Sequence, residues 1–280
     1  MTCLSFFACA AAVVSTPPAD ARIHERIYPA PRVPLNVAGL PATSVIDTAR
    51  TADGLVLKGI EIAPRDGKPI FLVFHGNESS ATETMHWFAP LIADGYGVVA
   101  AEYREYSANP GEANEAGLAA DADAFYIRGR SLAGSGKLIV VGHSLGGGVA
   151  FGLSMRNRLD ALVTIGTFTS LRAMVPKAAQ SLIVDRYDNE AAIAALDEPC
   201  YLIHGTEDDT VPFEQGEALR KAASAGHKIG ALFVMRGAGH APDEASLAMI
   251  LRAIAAKVDG NGKTVTVKLP ATVQLEPFGP

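Results

Sequence analysis

Leu138-Ile139-Val140-Val141-Gly142-His143-Ser144-Leu145-Gly146-Gly147-Gly148 is the stretch that decides how this chain folds. Leu138 to Val141 is a short apolar run of the kind that forms a strand buried on both faces. A sharp turn follows, and after it a helix of small residues. The turn fits Gly-x-Ser-x-Gly as Gly142-His143-Ser144-Leu145-Gly146, a pattern that holds a serine at the tip of a strand-to-helix turn. Such a serine has a strained backbone and crowded neighbours. Gly142 and Gly146 remove the side chains that would collide, leaving the Ser144 hydroxyl clear. The helix that follows points its first N–H groups at the same place, where they favour negative charge.

The rest of the chain supplies what a serine nucleophile needs. A hydroxyl is a poor nucleophile until a base takes its proton, and the base is a histidine oriented by a carboxylate. In an open α/β sheet these groups gather at the carboxyl ends of strands. The carboxylate stands in His204-Gly205-Thr206-Glu207-Asp208-Asp209, directly after a strand, and Asp208 is preferred over Glu207 and Asp209. The base is His240 in Gly237-Ala238-Gly239-His240, between the last strand of the domain and its last helix. Two backbone N–H groups must meet the developing oxyanion, each worth about 3 kcal/mol of transition-state stabilisation. Leu145, after the serine, gives one. Asn77, in the loop that ends the Ile70–Phe74 strand as His75-Gly76-Asn77, gives the other. His75 and His204 read as structural loop residues, His143 as packing beside the turn, and His24, His86 and His227 as surface groups. No His, Cys or carboxylate cluster has metal-ligand spacing, so neither metal nor cofactor is expected.

Strand and helix alternate along the body. Strands read over 44–51 and 55–63 around Asp53-Gly54, then at 70–74, 98–101, 138–141, 161–165, 200–204 and 231–235. Helices fall between them at 81–94, 115–130, 213–225 and 241–256, with an irregular helical stretch from 170 to 197. This order gives an α/β fold: a mostly parallel twisted sheet with helices on both faces.

Here the chain resembles the α/β-hydrolase superfamily, and within it a lid-poor branch of serine hydrolases. That branch includes bacterial esterase-like proteins and eukaryotic protein depalmitoylases. The likeness rests on His75-Gly76-Asn77, Tyr103-Arg104, Gly117-Leu118 with Asp121, Gly142 to Gly146, Thr167 to Ser170, Asp185 to Asn189, and His204-Gly205 to Val211-Pro212. It implies Ser144, Asp208 and His240 as the triad, and Asn77 and Leu145 as oxyanion donors. The chain order serine, acid, histidine is the one this fold uses. Two stretches depart from the family. Tyr103-Arg104-Glu105-Tyr106 puts a charge where glycine is usual, near the expected rim of the site, and Glu78-Ser79-Ser80 replaces small residues after Asn77. The implied function is hydrolysis of carboxylic esters or thioesters, of small molecules or of acyl carriers. Acyl transfer, peptide cleavage and a non-catalytic binding module are the alternatives.

The chain has 280 residues, 49% of them hydrophobic and 19% charged, with a net charge of -6. That suits one large domain and argues against nucleic acid as a partner. Cys3 and Cys9 lie at the extreme N-terminus, so Cys200 stands alone in the body, where one cysteine cannot form an internal disulfide, and it reads as a core residue. The chain divides into a signal peptide at 1–21, a proline-rich extended arm at 22–43, the hydrolase domain at 44–257 with a short lid at 166–198, and a tail at 258–280. The signal reading rests on the apolar run Leu4–Ser15 and on Ala19-Asp20-Ala21 as a cleavage site, and it implies export to a periplasm or the outside, with a membrane-associated or a cytoplasmic protein as the alternatives. The tail is expected either to add an edge strand or to lie along the surface.

Overall fold

The structure is a computed structural model that describes residues 19–260 and 269–279. The apolar run Leu4–Ser15 lies outside them. Nine strands form one sheet in the order β1-β2-β4-β3-β5-β6-β7-β8-β9. These are β1 (Val45–Arg50), β2 (Val56–Ile62), β3 (Ile70–Phe74), β4 (Gly97–Ala101), β5 (Leu138–His143), β6 (Ala161–Ile165), β7 (Cys200–Gly205), β8 (Gly230–Met235) and β9 (Val273–Phe278). The run from β4 through β3 to β8 is parallel. The β1–β2 hairpin and β9 close the two edges antiparallel.

Alternate residues of the central strands feed two cores. Ile70, Leu72 and Phe74 of β3 face one side with Leu138 and Val140 of β5, while Phe71, Val73, Ile139 and Val141 face the other. Helices α4 (Glu115–Ala133), α5 (Leu145–Ser154), α6 (Asn189–Ala195) and α7 (Phe213–Ala225) cover the first face. Helices α2 (Ala81–Trp87), α3 (Ala89–Ala93) and α8 (Glu244–Asp259) cover the second. Both faces of β3 to β7 are therefore apolar, as the uninterrupted hydrophobic runs require. Cys200 is fully buried in the first core, and burial pushes its thiol up. No helix of the described residues is long and apolar enough to cross a membrane.

Two features differ from the sequence reading, and one choice it leaves open is decided. Residues 81–94 form two helices rather than one, because Pro90 removes an N–H donor and the chain restarts at Ala89. The tail takes the first of its two expected places, an edge strand: β9 pairs with β8, and its Pro277 is tolerated because an edge strand has one side without ladder partners. The expected extended arm begins with a helix, α1 (Ala19–Ile27). Proline enters only at Pro29, so nothing before it prevents helix, and residues 28–43 then run irregularly as the proline spacing predicts.

The loop after β4 is fixed by charge. Arg104 donates from its backbone N–H, Nε and Nη2 to the fully buried Asp121 of α4, and its Nη1 and Nη2 fork onto Asp53 in the β1–β2 turn. Burial pushes the Asp121 carboxyl up despite those bonds, whereas the Arg104 guanidinium first holds Asp53 down at about 2. Removing Asp121 leaves the buried guanidinium with the half-exposed Asp53 alone as counter-charge. Asp121→Ala is expected to lower unfolding stability by about 3–5 kcal/mol in urea titration. A loss under 1 kcal/mol would mean that water already screens the pair.

Candidate active site

Ser144 sits at the tip of the β5–α5 turn with φ 54° and ψ −117°, a conformation few side chains adopt. Close approach explains the flanking glycines. A Cβ on Gly142 would run into the Gly146 carbonyl, and one on Gly146 into the carbonyl of Phe74 at the end of β3. The turn is held from the other side as well, where the Ser144 N–H donates to the Ile165 carbonyl at 2.8 Å. Serine is thereby wedged between the ends of β3 and β6. Its side chain remains almost covered, at 5% exposure for the residue.

Asp208 and His240 meet as the sequence order predicts. His240 Nδ1 and Asp208 Oδ2 lie 2.8 Å apart, with the carboxylate side chain fully buried. Asp208 Oδ1 accepts from the N–H groups of Val211 (2.8 Å) and Thr210 (3.0 Å). Burial works to raise the Asp208 carboxyl. Hydrogen bonds from His204, then His240, then the Val211 N–H outweigh it and hold the group well below the ordinary carboxylate range. Glu207 and Asp209 are exposed and hold no such position. The two loops pack tightly: a Cβ on Gly205, at the end of β7, would collide with the Ala238 carbonyl.

His240 lies against both flanks of the serine turn. Its ring centroid is 4.8 Å from that of His143, and His143 Nε2 donates to the His240 carbonyl at 3.1 Å. On the other flank, a Cβ on Gly166 would stand 3.0 Å from His240 Nδ1. No hydrogen bond joins the Ser144 hydroxyl to His240 among the described residues, a looseness common where no substrate is bound. His143 packs beside the turn as expected, edge-on to Trp87. Burial pushes its pKa down to about 4, so the ring is neutral.

Asn77 and Leu145 line one cavity with Ser144. Its volume is about 410 Å³, within the roughly 300–1,000 Å³ typical of small-molecule sites. Phe168, Leu171, Met174, Ile183 and Val211 make most of its wall apolar. The segment 166–198 brings two 3-10 turns, Leu171–Met174 and Lys177–Leu182, to that wall. Among the described residues, neither the Asn77 nor the Leu145 amide donates to another protein group, as expected of a helix N-terminus and the loop facing it.

Several residues have roles that the sequence did not give. His204 is not a loop residue: it is buried in β7, with Nε2 2.8 Å from the Val211 carbonyl and 3.4 Å from Asp208 Oδ2. His24 is no free surface group, since it pairs with Glu105 at 3.1 Å. Glu105 is absent from the cavity wall, so the charge expected at the site rim instead ties down α1 and the Ala113 N–H. Ser80, the other family departure, caps α2 by accepting from the Glu83 N–H.

His75 is likewise buried, with Nε2 2.7 Å from Glu102 Oε1 and Nδ1 2.7 Å from the Gly76 carbonyl. A carbonyl only accepts, so Nδ1 carries a proton. That bond fixes the plane of the Gly76–Asn77 peptide. The peptide is trans, so the Asn77 N–H points opposite to the held carbonyl. Glu102 is itself pinned by the Ala81 N–H and the Ser107 hydroxyl. His75→Gln is expected to lower kcat about 10- to 100-fold with little change in KM, because a misaimed donor acts on the transition state. A fall in Tm with kcat intact would make His75 purely structural. The signal for this pair was His75 at a strand end, but its partner stands at the end of the neighbouring strand β4, 27 residues on.

The comparisons with known proteins bear on the fold and the family. The alpha/beta hydrolase fold family profile matches residues 69–184. An uncharacterized protein of Mycobacterium tuberculosis is 33% identical over 215 residues, covering 71% of this chain and 75% of the relative. The chain belongs to the α/β-hydrolase superfamily. It is also similar to a Danio rerio protein named lysophosphatidylserine lipase, 26% identical over 191 residues, covering 58% of this chain and 50% of that one. Among solved structures, an esterase of Pyrococcus furiosus superposes with a TM-score of 0.61 at 19% identity, covering 83% of this chain and 97% of the esterase. That likeness is one of fold.

Proposed function

We propose that this α/β-hydrolase cleaves carboxylic ester or thioester bonds through an acyl-serine intermediate on Ser144. The observation that carries the reading is the Asp208–His240 pair, 2.8 Å apart and packed against both flanks of a strained serine. In the first step His240 takes the Ser144 proton as Oγ attacks the acyl carbon, then delivers it to the departing alcohol or thiol. The Asn77 and Leu145 N–H groups take the charge of the oxyanion. Water attacks next, with His240 again as base, releasing the acid and restoring the serine. Esterase and lipase names among the similar proteins support this class of substrate.

The test is hydrolysis of p-nitrophenyl esters from acetate to palmitate. Each CH₂ placed against an apolar wall contributes about 0.8 kcal/mol, so rates should climb beyond acetate and fall once the chain exceeds the 410 Å³ cavity. No turnover at any length would exclude simple esters as substrates.

Export is a separate proposal and rests on sequence alone. Cleavage after Ala21 would leave Arg22 as the first residue and keep Ile23–Ile27 of α1. The intact mass of the exported protein decides it.

A further inference from the structure

Helix α1 has two working faces. His24 and Tyr28, one turn apart, form an anchor. His24 pairs with Glu105, and the buried Tyr28 hydroxyl donates to Asp185 at 2.6 Å and lies 3.0 Å from the Tyr187 hydroxyl. Burial, first of all, pushes the Tyr28 phenol far up, so it stays a donor. Ile23, Arg26 and Ile27, spaced three and four apart, share the adjoining face and line the Ser144 cavity. The two isoleucines are half-buried there, and Arg26 is exposed.

Among the described residues, Arg26 is the one formally charged side chain in that lining. Among the described residues no carboxylate pairs with it. The protein as a whole is acidic, with net charge -6, so any attraction for an anion must be built locally. An apolar wall, a nucleophile and one unpaired guanidinium in a single cavity match an amphiphile with a negative head.

We infer that the cavity takes an acyl ester whose leaving group carries an anionic oxygen group, phosphate or carboxylate, and that Arg26 contacts that group. The inference deepens the hydrolase reading and rests on it for the word ester. A guanidinium suits both anions, because its fork matches their paired oxygens. Ile23 and Ile27 flank the contact and exclude water from one side of it.

Binding separates the head-group contact from catalysis. Decyl phosphate, N-decanoylglycine and neutral decyl glucoside are titrated calorimetrically, below micellar concentration, into wild type, Arg26→Gln and Arg26→Lys. Wild type should bind at least one anionic ligand about tenfold or more tightly than the glucoside, the scale of a charge-assisted hydrogen bond. Whichever ligand shows the preference identifies phosphate or carboxylate. Arg26→Gln should lose that preference and Arg26→Lys keep part of it. Equal binding of all three by wild type, or a preference that survives in Arg26→Gln, overturns the inference and leaves Arg26 a solvated cover for the wall. Turnover of p-nitrophenyl decanoate by the same wild-type sample reports on the hydrolase reading alone. Its absence, with the binding preference intact, would remove the esterase assignment and leave the head-group contact standing.

Discussion

Ser144→Ala is expected to lower kcat on p-nitrophenyl esters by about 10,000- to 1,000,000-fold, the loss that follows removal of a nucleophile whose partners cannot act without it. The residual rate comes from the oxyanion donors and binding, neither of which the substitution touches. The fold should not suffer. The Ser144 hydroxyl holds no hydrogen bond to another residue among those described, and the turn is fixed by the Ser144 N–H and by the glycines beside it. Ser144→Gly adds a sharper test. At φ 54° and ψ −117° a side chain is strained, and residues held in such regions cost about 1–3 kcal/mol. Glycine relieves that strain while its own unfolded-state entropy works against it, so the expected result is a Tm at or above wild type in an inactive protein. A stable, inactive glycine variant is what a site that stores strain for function produces. Activity within tenfold of wild type in Ser144→Ala would mean that the nucleophile lies elsewhere.

Most of the sheet and the order Ser144, Asp208, His240 could be read in advance because each rests on a local pattern. A strand buried on both faces is a continuous apolar run, and a tight turn shows its glycines. The structure brings those predicted residues into one neighbourhood and puts Asn77 and Leu145 in the same cavity wall. What could not be read depends on partners distant in sequence. Nothing near Ile23 or Arg26 says that the helix will lie across the serine, because its anchors are Glu105 and Asp185. The expected cleavage site lay close by, and the prolines from Pro29 onward drew the boundary of the arm too early. The role of His75 is hidden for the same reason, since Glu102 reaches it from the neighbouring strand. Glu105 marks the opposite error. A glycine is usual there because φ is positive, and at Glu105 φ is 70°. The residue accepts that backbone and serves α1, so its charge says little about the substrate.

Asp208→Asn is expected to give the second large effect, a fall in kcat of about 10,000-fold with KM little changed. The asparagine carbonyl can replace Oδ1 and still accept from the Val211 and Thr210 N–H groups. Its NH₂ then stands in place of Oδ2, facing His240 Nδ1 and His204 Nε2. His204 Nε2 already faces the Val211 carbonyl, which can only accept, so its proton meets the amide protons head on. His240 Nδ1 must become an acceptor, which moves its proton to Nε2 and leaves no lone pair to receive the Ser144 proton. The wild-type carboxyl lies below its usual range, which fixes the sign of the accompanying stability effect. A depressed acid contributes stability that is fully present above its unfolded value of about 3.9 and is lost as pH falls through the folded value. The Tm advantage of wild type over Asp208→Asn should therefore be constant from pH 5 to 8 and shrink only below about pH 4. An advantage that shrinks between pH 5 and 7 would point to a histidine as the titrating group. Retention of activity in Asp208→Asn with loss in Asp209→Asn would transfer the orienting role to the exposed neighbour, against the burial and the 2.8 Å contact seen here.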